Sequence, residues 1–127
     1  MLLLTKSEIK KSVTMEEAIK VIEKAFINYS SDNAEIPERI QIKVDGKNGR
    51  VLYMPGYMKE EGSLGMKMVS IFPNNFKKNL PTTNTLVVLN DVDTGMPVVL
   101  MEGGYLTSLR TGAATGVATQ YLARKDA

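Results

Sequence analysis

The sequence predicts an α+β fold: a mostly antiparallel sheet meander flanked by an N-terminal helix pair and a long C-terminal helix. Three observations predict it. Residues 39–44 alternate apolar and polar side chains, which is typical of a half-buried strand. Short turn sequences such as 45–49 separate the predicted strands, which favours antiparallel neighbours. Residues 103–123 carry a single charge, Arg110, and place apolar residues at helical spacing.

Composition describes an ordinary globular chain of 127 residues, long enough for one domain with a core. The 16 basic and 14 acidic residues are interspersed, so we expect no nucleic-acid partner. The chain has no cysteine and no histidine, so we predict no metal site, and proton transfer falls to Lys, Asp, Glu or Tyr. Its apolar runs are too short for a membrane span, and residues 1–4 are too short for a signal sequence. We therefore expect a cytoplasmic protein with no membrane partner.

The N-terminal third is predicted to be helical. Residues 1–5 form a short strand and residues 7–13 a short helix. A second helix begins at Thr14, because Thr14 and Glu17 have the spacing of a capping box, and it ends near residues 31–33. Its predicted apolar stripe consists of Ala18, Val21, Ile22, Ala25, Phe26 and Tyr29.

Five strands follow the helix pair. We place them at 39–44, 50–57, 64–72, 83–91 and 97–102, separated by turns or loops at 45–49, 59–63, 73–81 and 91–95. The loop 73–81 is long, of the kind that often carries function.

The C-terminal helix is predicted to be thin. The small residues Gly112, Ala113, Ala114, Gly116 and Ala118 let neighbouring backbone approach closely. Each of the two glycines lowers helix propensity by about 1 kcal/mol. Arg110 shares a stripe with Leu106, Ala113, Ala114 and Val117. An arginine there needs an anionic partner, which is either a carboxylate of the protein or an anionic ligand.

Three further positions are candidates for chemistry. Lys67 lies in a strand that is apolar on both faces, so it either extends to the sheet edge or sits in a pocket with a lowered pKa. Arg39 stands at a strand start, where it is either solvated or a binding group. Thr82 follows Pro81 at a loop-to-strand junction, where it either caps the turn or meets a ligand. No Gly-x-Gly-x-x-Gly follows any predicted strand, so we expect no Rossmann domain in this chain.

An ordered set of motifs carries a resemblance to a known family. The set consists of Leu3-Leu-Thr-Lys-Ser-Glu-Ile9, Ile36-Pro-Glu-Arg39, Leu64-Gly-Met-Lys-Met-Val-Ser-Ile-Phe-Pro-Asn-Asn75, Leu80-Pro-Thr82, Asp91-Val-Asp-Thr-Gly95, Gly104-Tyr-Leu-Thr-Ser-Leu-Arg-Thr111 and Tyr121-Leu-Ala-Arg124. With these motifs the whole chain resembles the N-terminal part of the ornithine cyclodeaminase/mu-crystallin family. That family includes ornithine cyclodeaminases, a branch of alanine dehydrogenases and ketimine reductases.

The resemblance implies that residues 1–127 are a substrate-binding and dimerisation domain, and that a Rossmann domain follows it. Arg39 and Lys67 resemble the groups that bind the amino-acid or imino-acid substrate, and Lys67 is also the candidate acid/base. Thr82 and Arg110 resemble residues that contact NAD or NADP. The implied reaction is hydride transfer from an amino-acid α-carbon to the cofactor, which gives an imine. The implied assembly is a homodimer.

The resemblance implies first an enzyme of the ornithine cyclodeaminase type, which converts ornithine to proline and ammonia, with the alanine dehydrogenase or ketimine reductase branch as the alternative. In cyclodeaminases the imine cyclises to proline with loss of ammonia, in alanine dehydrogenases it hydrolyses to a keto acid, and ketimine reductases form a third branch. Two departures from the family pattern matter. Its Arg-Thr-Ala run reads Arg110-Thr-Gly112 here, and the family's catalytic aspartate would lie beyond residue 127. The competing hypothesis is a non-catalytic module that dimerises or binds a small acid.

Overall fold

A computed structural model, which describes residues 1–126, has the α+β architecture that the sequence predicts. Its strands are β1 (Leu2–Leu4), β2 (Ala34–Glu35), β3 (Ile40–Val44), β4 (Gly49–Met58), β5 (Ser63–Ile71), β6 (Thr83–Asn90) and β7 (Pro97–Glu102). Its α-helices are α1 (Lys6–Ser12), α2 (Met15–Ser30) and α3 (Gly103–Leu122). The predicted loop 73–81 was wrong in part, because Pro73–Lys78 form a 3₁₀-helix.

The strands form one mostly antiparallel sheet in the order β1-β7-β6-β5-β4, with β2 and β3 both paired to the long strand β4. The meander from β3 to β7 is antiparallel throughout, as the short turns predict. β1 pairs in parallel with β7, placing Leu3 opposite Leu100. No local turn connects these two strands, so the sequence carried no signal for this pairing. Among the described residues, no helix has the length and apolar character needed to cross a membrane.

Both N-terminal helices begin at a threonine capping box. The predicted box is confirmed: Thr14 Oγ1 accepts from the backbone N–H of Glu17, whose carboxylate accepts from the backbone N–H of Thr14. A second box joins Thr5 to Glu8. Thr5 was predicted as the last residue of the first strand, but it is the N-cap of α1. Caps of this kind are worth about 1 kcal/mol each.

Close contact between α2 and α3 forms the helical core. A side chain on Gly112 would meet Met15 at 3.1 Å, and one on Gly116 would meet Ile19 at 2.8 Å. Between these two glycines Ala113 is completely buried. The predicted thin helix therefore serves to bring α2 close. The predicted α2 stripe was wrong in part, because Val21, Phe26 and Tyr29 are exposed.

The helices cover only one face of the sheet. Leu52, Val69 and Thr85 lie opposite one another on adjacent strands and so share a face. The first residue of α3, Gly103, packs directly on Thr85, where any side chain would overlap it. We call this the helix face.

The other side of the sheet, the open face, carries apolar side chains that nothing in the described chain covers. Ile40, Tyr53, Met68 and Leu86 form one row of it across four strands. Ile40 is 59% exposed, Leu86 is 41% exposed, and the neighbouring Ile42 is 52% exposed. Contiguous apolar surface of this kind marks an interaction site.

We expect Gly65→Ala to destabilise the fold by about 1–3 kcal/mol, because the new methyl group would overlap the carbonyl oxygen of Val88 on the adjacent strand. Gly56→Ala is the matched control, since Gly56 lies directly opposite Gly65 and has open space around its α-carbon. Urea unfolding of the two variants measures the difference. Equal losses of stability in both would contradict the close approach at Gly65.

Candidate active site

Two cations meet in a groove between the helix face and α3. Lys67 stands at the middle of β5, with Met54 of β4 and Val87 of β6 directly opposite it. From α3, Arg110 reaches the same groove, which has a volume of about 560 Å³. The sheet therefore fixes the lysine and the helix supplies the arginine.

A third cation adjoins them. Arg39 lies one residue before β3, in a second groove of about 530 Å³ that shares Ile36, Met54 and Pro55 with the first. The charge of Arg39 acts on Lys67 in the same direction as that of Arg110. The structure thus brings together three of the four predicted site residues, from three separate segments of the chain.

The environment of Lys67 disfavours its charged form. Burial lowers the pKa of the Lys67 ammonium below its ordinary value of 10.5, and the guanidinium groups of Arg110 and Arg39 lower it further. β5 lies between β4 and β6, away from either sheet edge. Of the two interpretations of Lys67, the pocket with a lowered pKa is therefore the one that fits.

None of these cations has a carboxylate partner within residues 1–126. The ion pairs there are Lys20–Glu16, Lys24–Glu61 and Arg124–Asp126. The interpretation of Arg110 as half of an internal ion pair is therefore wrong for the described residues. Three cations without a carboxylate partner around two adjoining grooves attract an anion, and arginine forks bind carboxylates and phosphates in a bidentate manner.

Arg110 lies beside the buried stripe of α3 and not on it, which corrects the predicted stripe. The buried residues are Leu109, Ala113 and Val117, and Arg110 itself is exposed. The sequence pattern had grouped Arg110 with Ala113 and Val117. The offset leaves the guanidinium free to face the groove.

The rest of the groove is mainly apolar. Ile36, Met54, Met58, Val87 and Leu89 are among the residues of its wall, which Tyr57 and Ser63 also line. No aspartate or glutamate lines it among the described residues; Glu38 lines the adjoining groove around Arg39. The site therefore combines a cationic end with an uncharged wall.

Thr82 lies apart from Arg39, Lys67 and Arg110, which together we call the cation cluster. It precedes β6, is exposed, and accepts a hydrogen bond at its carbonyl from the Phe72 N–H. Five residues of extended chain separate it from Val87, about 16 Å along the strand. Any ligand that touches both Thr82 and Lys67 must be long.

Sequence reasoning missed two residues near the cluster. Met54 is the cross-strand neighbour of Lys67. Pairing the predicted strands 50–57 and 64–72 in register could have identified it. Thr107 lies one helical turn before Arg110, and its buried hydroxyl has no hydrogen-bond partner within residues 1–126. The other serine and threonine hydroxyls of α3, such as that of Thr111, donate to the carbonyl four residues earlier. Within the same residues, no group of three acidic side chains could hold a metal ion.

Comparison with known proteins identifies the family to which this chain is similar. The sequence model of the ornithine cyclodeaminase/mu-crystallin family matches residues 1–127. An alanine dehydrogenase of Archaeoglobus fulgidus is 39% identical over 98% of this chain, which spans 38% of that protein.

Two solved structures share the fold closely. The Δ1-pyrroline-2-carboxylate reductase of Thermococcus litoralis, in complex with NADH and L-proline, is 48% identical with a TM-score of 0.92. An archaeal alanine dehydrogenase dimer with bound NAD is 40% identical with a TM-score of 0.91. Each match covers 99% of this chain but only 39% and 38% of those proteins.

We expect Arg110→Gln to raise the pKa of Lys67, because it removes a positive charge that disfavours the ammonium form. NMR titration of the lysine side chain in the folded protein measures the change. Arg50→Gln is the matched control: Arg50 shares the helix face but does not act on Lys67. An unchanged Lys67 pKa in Arg110→Gln would show that the two groups do not interact.

Proposed function

Because the chain belongs to the ornithine cyclodeaminase/mu-crystallin family, we propose that it is the substrate-binding part of an NAD(P)-dependent enzyme acting on a small amino or imino acid. The observation that carries the proposal is the meeting of Arg39, Lys67 and Arg110 without a carboxylate partner in the described chain. The chain spans less than two fifths of its relatives, so the nucleotide-binding part is proposed to lie outside it.

The three cations are proposed to anchor the substrate carboxylate. Arg39 and Lys67 approach the groove from adjoining sides, and Arg110 closes it from α3. A carboxylate bound there offsets their mutual repulsion, which gives a strong preference for acids over amides or amines. A carboxylate held by several donors also fixes the orientation of the adjacent α-carbon.

The groove also fits one end of a nicotinamide cofactor. Its apolar wall at Val87 and Leu89 suits a flat ring, and Arg110 suits an anionic neighbour. Thr82 lies about 16 Å away along β6, which suits a contact with a more distant part of a long dinucleotide. When bound, the nicotinamide supplies or accepts the hydride.

Lys67 is proposed as the acid/base. Its lowered pKa makes the ammonium a better proton donor than an ordinary lysine and increases the fraction of neutral amine near physiological pH. Its position beside the bound carboxylate puts it near the nitrogen of an α-amino or α-imino acid. It can therefore give a proton to that nitrogen or take one from it.

Ornithine cyclisation, alanine deamination and imine reduction all transfer a hydride to or from the α-carbon. The relatives reported above are named for the second and third of these reactions, which favours a dehydrogenase or imine reductase over a cyclodeaminase. A non-catalytic module that binds small acids remains the second candidate, since the same cations could bind an acid without catalysing a reaction. The two candidates differ in one respect: only an enzyme has a turnover rate that the loss of Lys67 can lower.

A homodimer is proposed to form through the open face. Its exposed isoleucines and leucine lie on a nearly continuous apolar surface that spans four strands. One structural relative is described as a dimer. Two such faces packed together would bury the apolar rows of both chains, as in a sheet sandwich.

We expect Lys67→Ala to reduce kcat/KM at least about a hundredfold in a complete enzyme, since it removes both an anchor and the acid/base. The complete enzyme can be made by joining residues 1–126 to the remaining part of the Thermococcus litoralis reductase. NADH consumption with Δ1-pyrroline-2-carboxylate measures it. Lys43→Ala, on the same helix face but outside the groove, is the control. Turnover at the parental rate in Lys67→Ala would remove Lys67 from the active site.

We expect the 127-residue chain to sediment as a symmetric dimer at about tens of micromolar, a rough working concentration. Ile42→Glu, on the open face, should convert it to a monomer because it would bury an unpaired charge. Val21→Glu is the control, since Val21 is equally apolar and exposed but lies on α2. A monomeric parent chain, or a dimer that survives Ile42→Glu, would exclude this interface.

A further inference from the structure

The helix face lacks side chains directly beside the cation cluster. Residues that lie opposite one another on β4, β5 and β6 form rows across this face, and one row consists of Met54, Lys67 and Val87. In the next row, about 7 Å further along the strands, the β4 and β5 positions are Gly56 and Gly65. We call these two residues the glycine floor. They line the same groove as Lys67.

Packing explains Gly65 but not Gly56. A methyl group on Gly65 would overlap the backbone carbonyl oxygen of Val88, so glycine is required there. A methyl group on Gly56 would have no atom of residues 1–126 within 4 Å, and Gly56 does not have a positive φ angle. Glycine inside a strand lowers stability relative to alanine. Within the described chain, neither packing nor backbone conformation therefore requires glycine at position 56.

The glycine floor lies in the one direction along the strands in which a ligand at Lys67 can extend. On the α3 side of Lys67 the adjacent row contains Leu52 and Val69, which are buried, and Thr85, on which Gly103 of α3 packs. On the opposite side lies the glycine floor, above which the groove is open. The body of an acid whose carboxylate is held at Lys67 is therefore directed over the two glycines.

We infer that Gly56 is a ligand-contact position, at which the part of the bound acid beyond its carboxylate lies directly on the backbone of the glycine floor. This inference rests on the proposed function, because it takes the carboxylate to be held by the cation cluster. Glycine inside a strand often marks a close approach of a ligand to the backbone. Gly56 then sets how closely the acid can approach the sheet.

The glycine floor is separate from the surface proposed above for the nicotinamide ring. That surface consists of Val87 and Leu89 on β6, whereas the glycine floor belongs to β4 and β5. A methyl group at position 56 would therefore affect the acid first.

Two acids that share a carboxylate but differ in the rest of the molecule test the inference. Acetate has only a methyl group beyond its carboxylate, whereas pyrrole-2-carboxylate has a flat ring that would reach the glycine floor. NMR titrations of the isotope-labelled 127-residue chain at constant ionic strength follow the backbone amides of residues 66–68 and 109–111. We expect Gly56→Ala to weaken the binding of pyrrole-2-carboxylate at least about tenfold, the usual effect of one methyl group in a pocket, and to leave acetate binding unchanged.

Ser70→Thr is the matched control, because it adds one methyl group to β5 on the open face, two residues from Met68. It should leave the binding of both acids unchanged.

A second measurement needs no variant, so it decides the question even if Gly56→Ala fails to fold. The ring current of bound pyrrole-2-carboxylate should shift the α-protons of Gly56 and Gly65 upfield in the parent chain, and acetate should cause no such shift. Absence of this shift at saturation with pyrrole-2-carboxylate overturns the inference.

The outcomes separate the inference from the proposed function. If both acids bind and Gly56→Ala changes neither affinity, the inference is overturned and the carboxylate anchor stands. Equal weakening of both acids in Gly56→Ala also overturns it, because the methyl group would then act on the cation cluster and not on the body of the acid. If neither acid binds the parent chain, the carboxylate anchor itself fails, and the inference fails with it.

Discussion

The close approach of α2 to α3 is the contact on which the site depends. Gly112 and Gly116 leave room for Met15 and Ile19, and Ala113 is fully buried between them. Glycine in a helix costs about 1 kcal/mol relative to alanine, so the sequence gives up helix stability for this contact. In return α3 is held by α2 along its length and by Thr85 at its first residue, Gly103. This anchoring keeps Arg110 over β5.

The cation cluster also lowers the free energy of unfolding. Lys67 is half-buried beside two arginines, and its protonated form is disfavoured in the folded state. Protonated Lys67 therefore destabilises the fold below its lowered pKa, and this destabilisation is relieved as the pH rises from there towards 10.5. An arrangement that destabilises the empty protein stabilises the complex with an anion. Such groupings are typical of binding sites, because ordinary surface charges are not held together against their repulsion.

Local patterns predicted most of the fold. The hairpins, the capping box at Thr14 and the extent of α3 follow from spacings of a few residues, and the structure has them nearly as predicted. The exposure of Phe26 and Tyr29 could not be predicted in this way, because an apolar stripe does not show how far a partner helix extends along it. The parallel pairing of β1 with β7 was equally out of reach, since those strands are distant in sequence.

The site, like the fold, could be predicted from local sequence only in part. Lys67 and Arg110 stood out as charges in apolar surroundings, whereas Arg39 was open between a solvated and a binding arginine until the resemblance favoured binding. The pairing of Met54 with Lys67 and the apolar wall depend on strand register and on the path of α3 over the sheet. These features belong to the tertiary structure and cannot be predicted from residue spacing alone.

The position of β1 has a consequence for the order in which the chain folds. Residues 2–4 leave the ribosome before the other strands described here, yet within residues 1–126 their only strand partner is residues 99–101. The antiparallel strands from β3 to β7 can pair as each emerges, whereas β1 must wait until β7 has been synthesised. The earliest strand is thus among the last to dock. Until then the outer edge of β7 is unpaired, and an unpaired strand edge can pair with another chain.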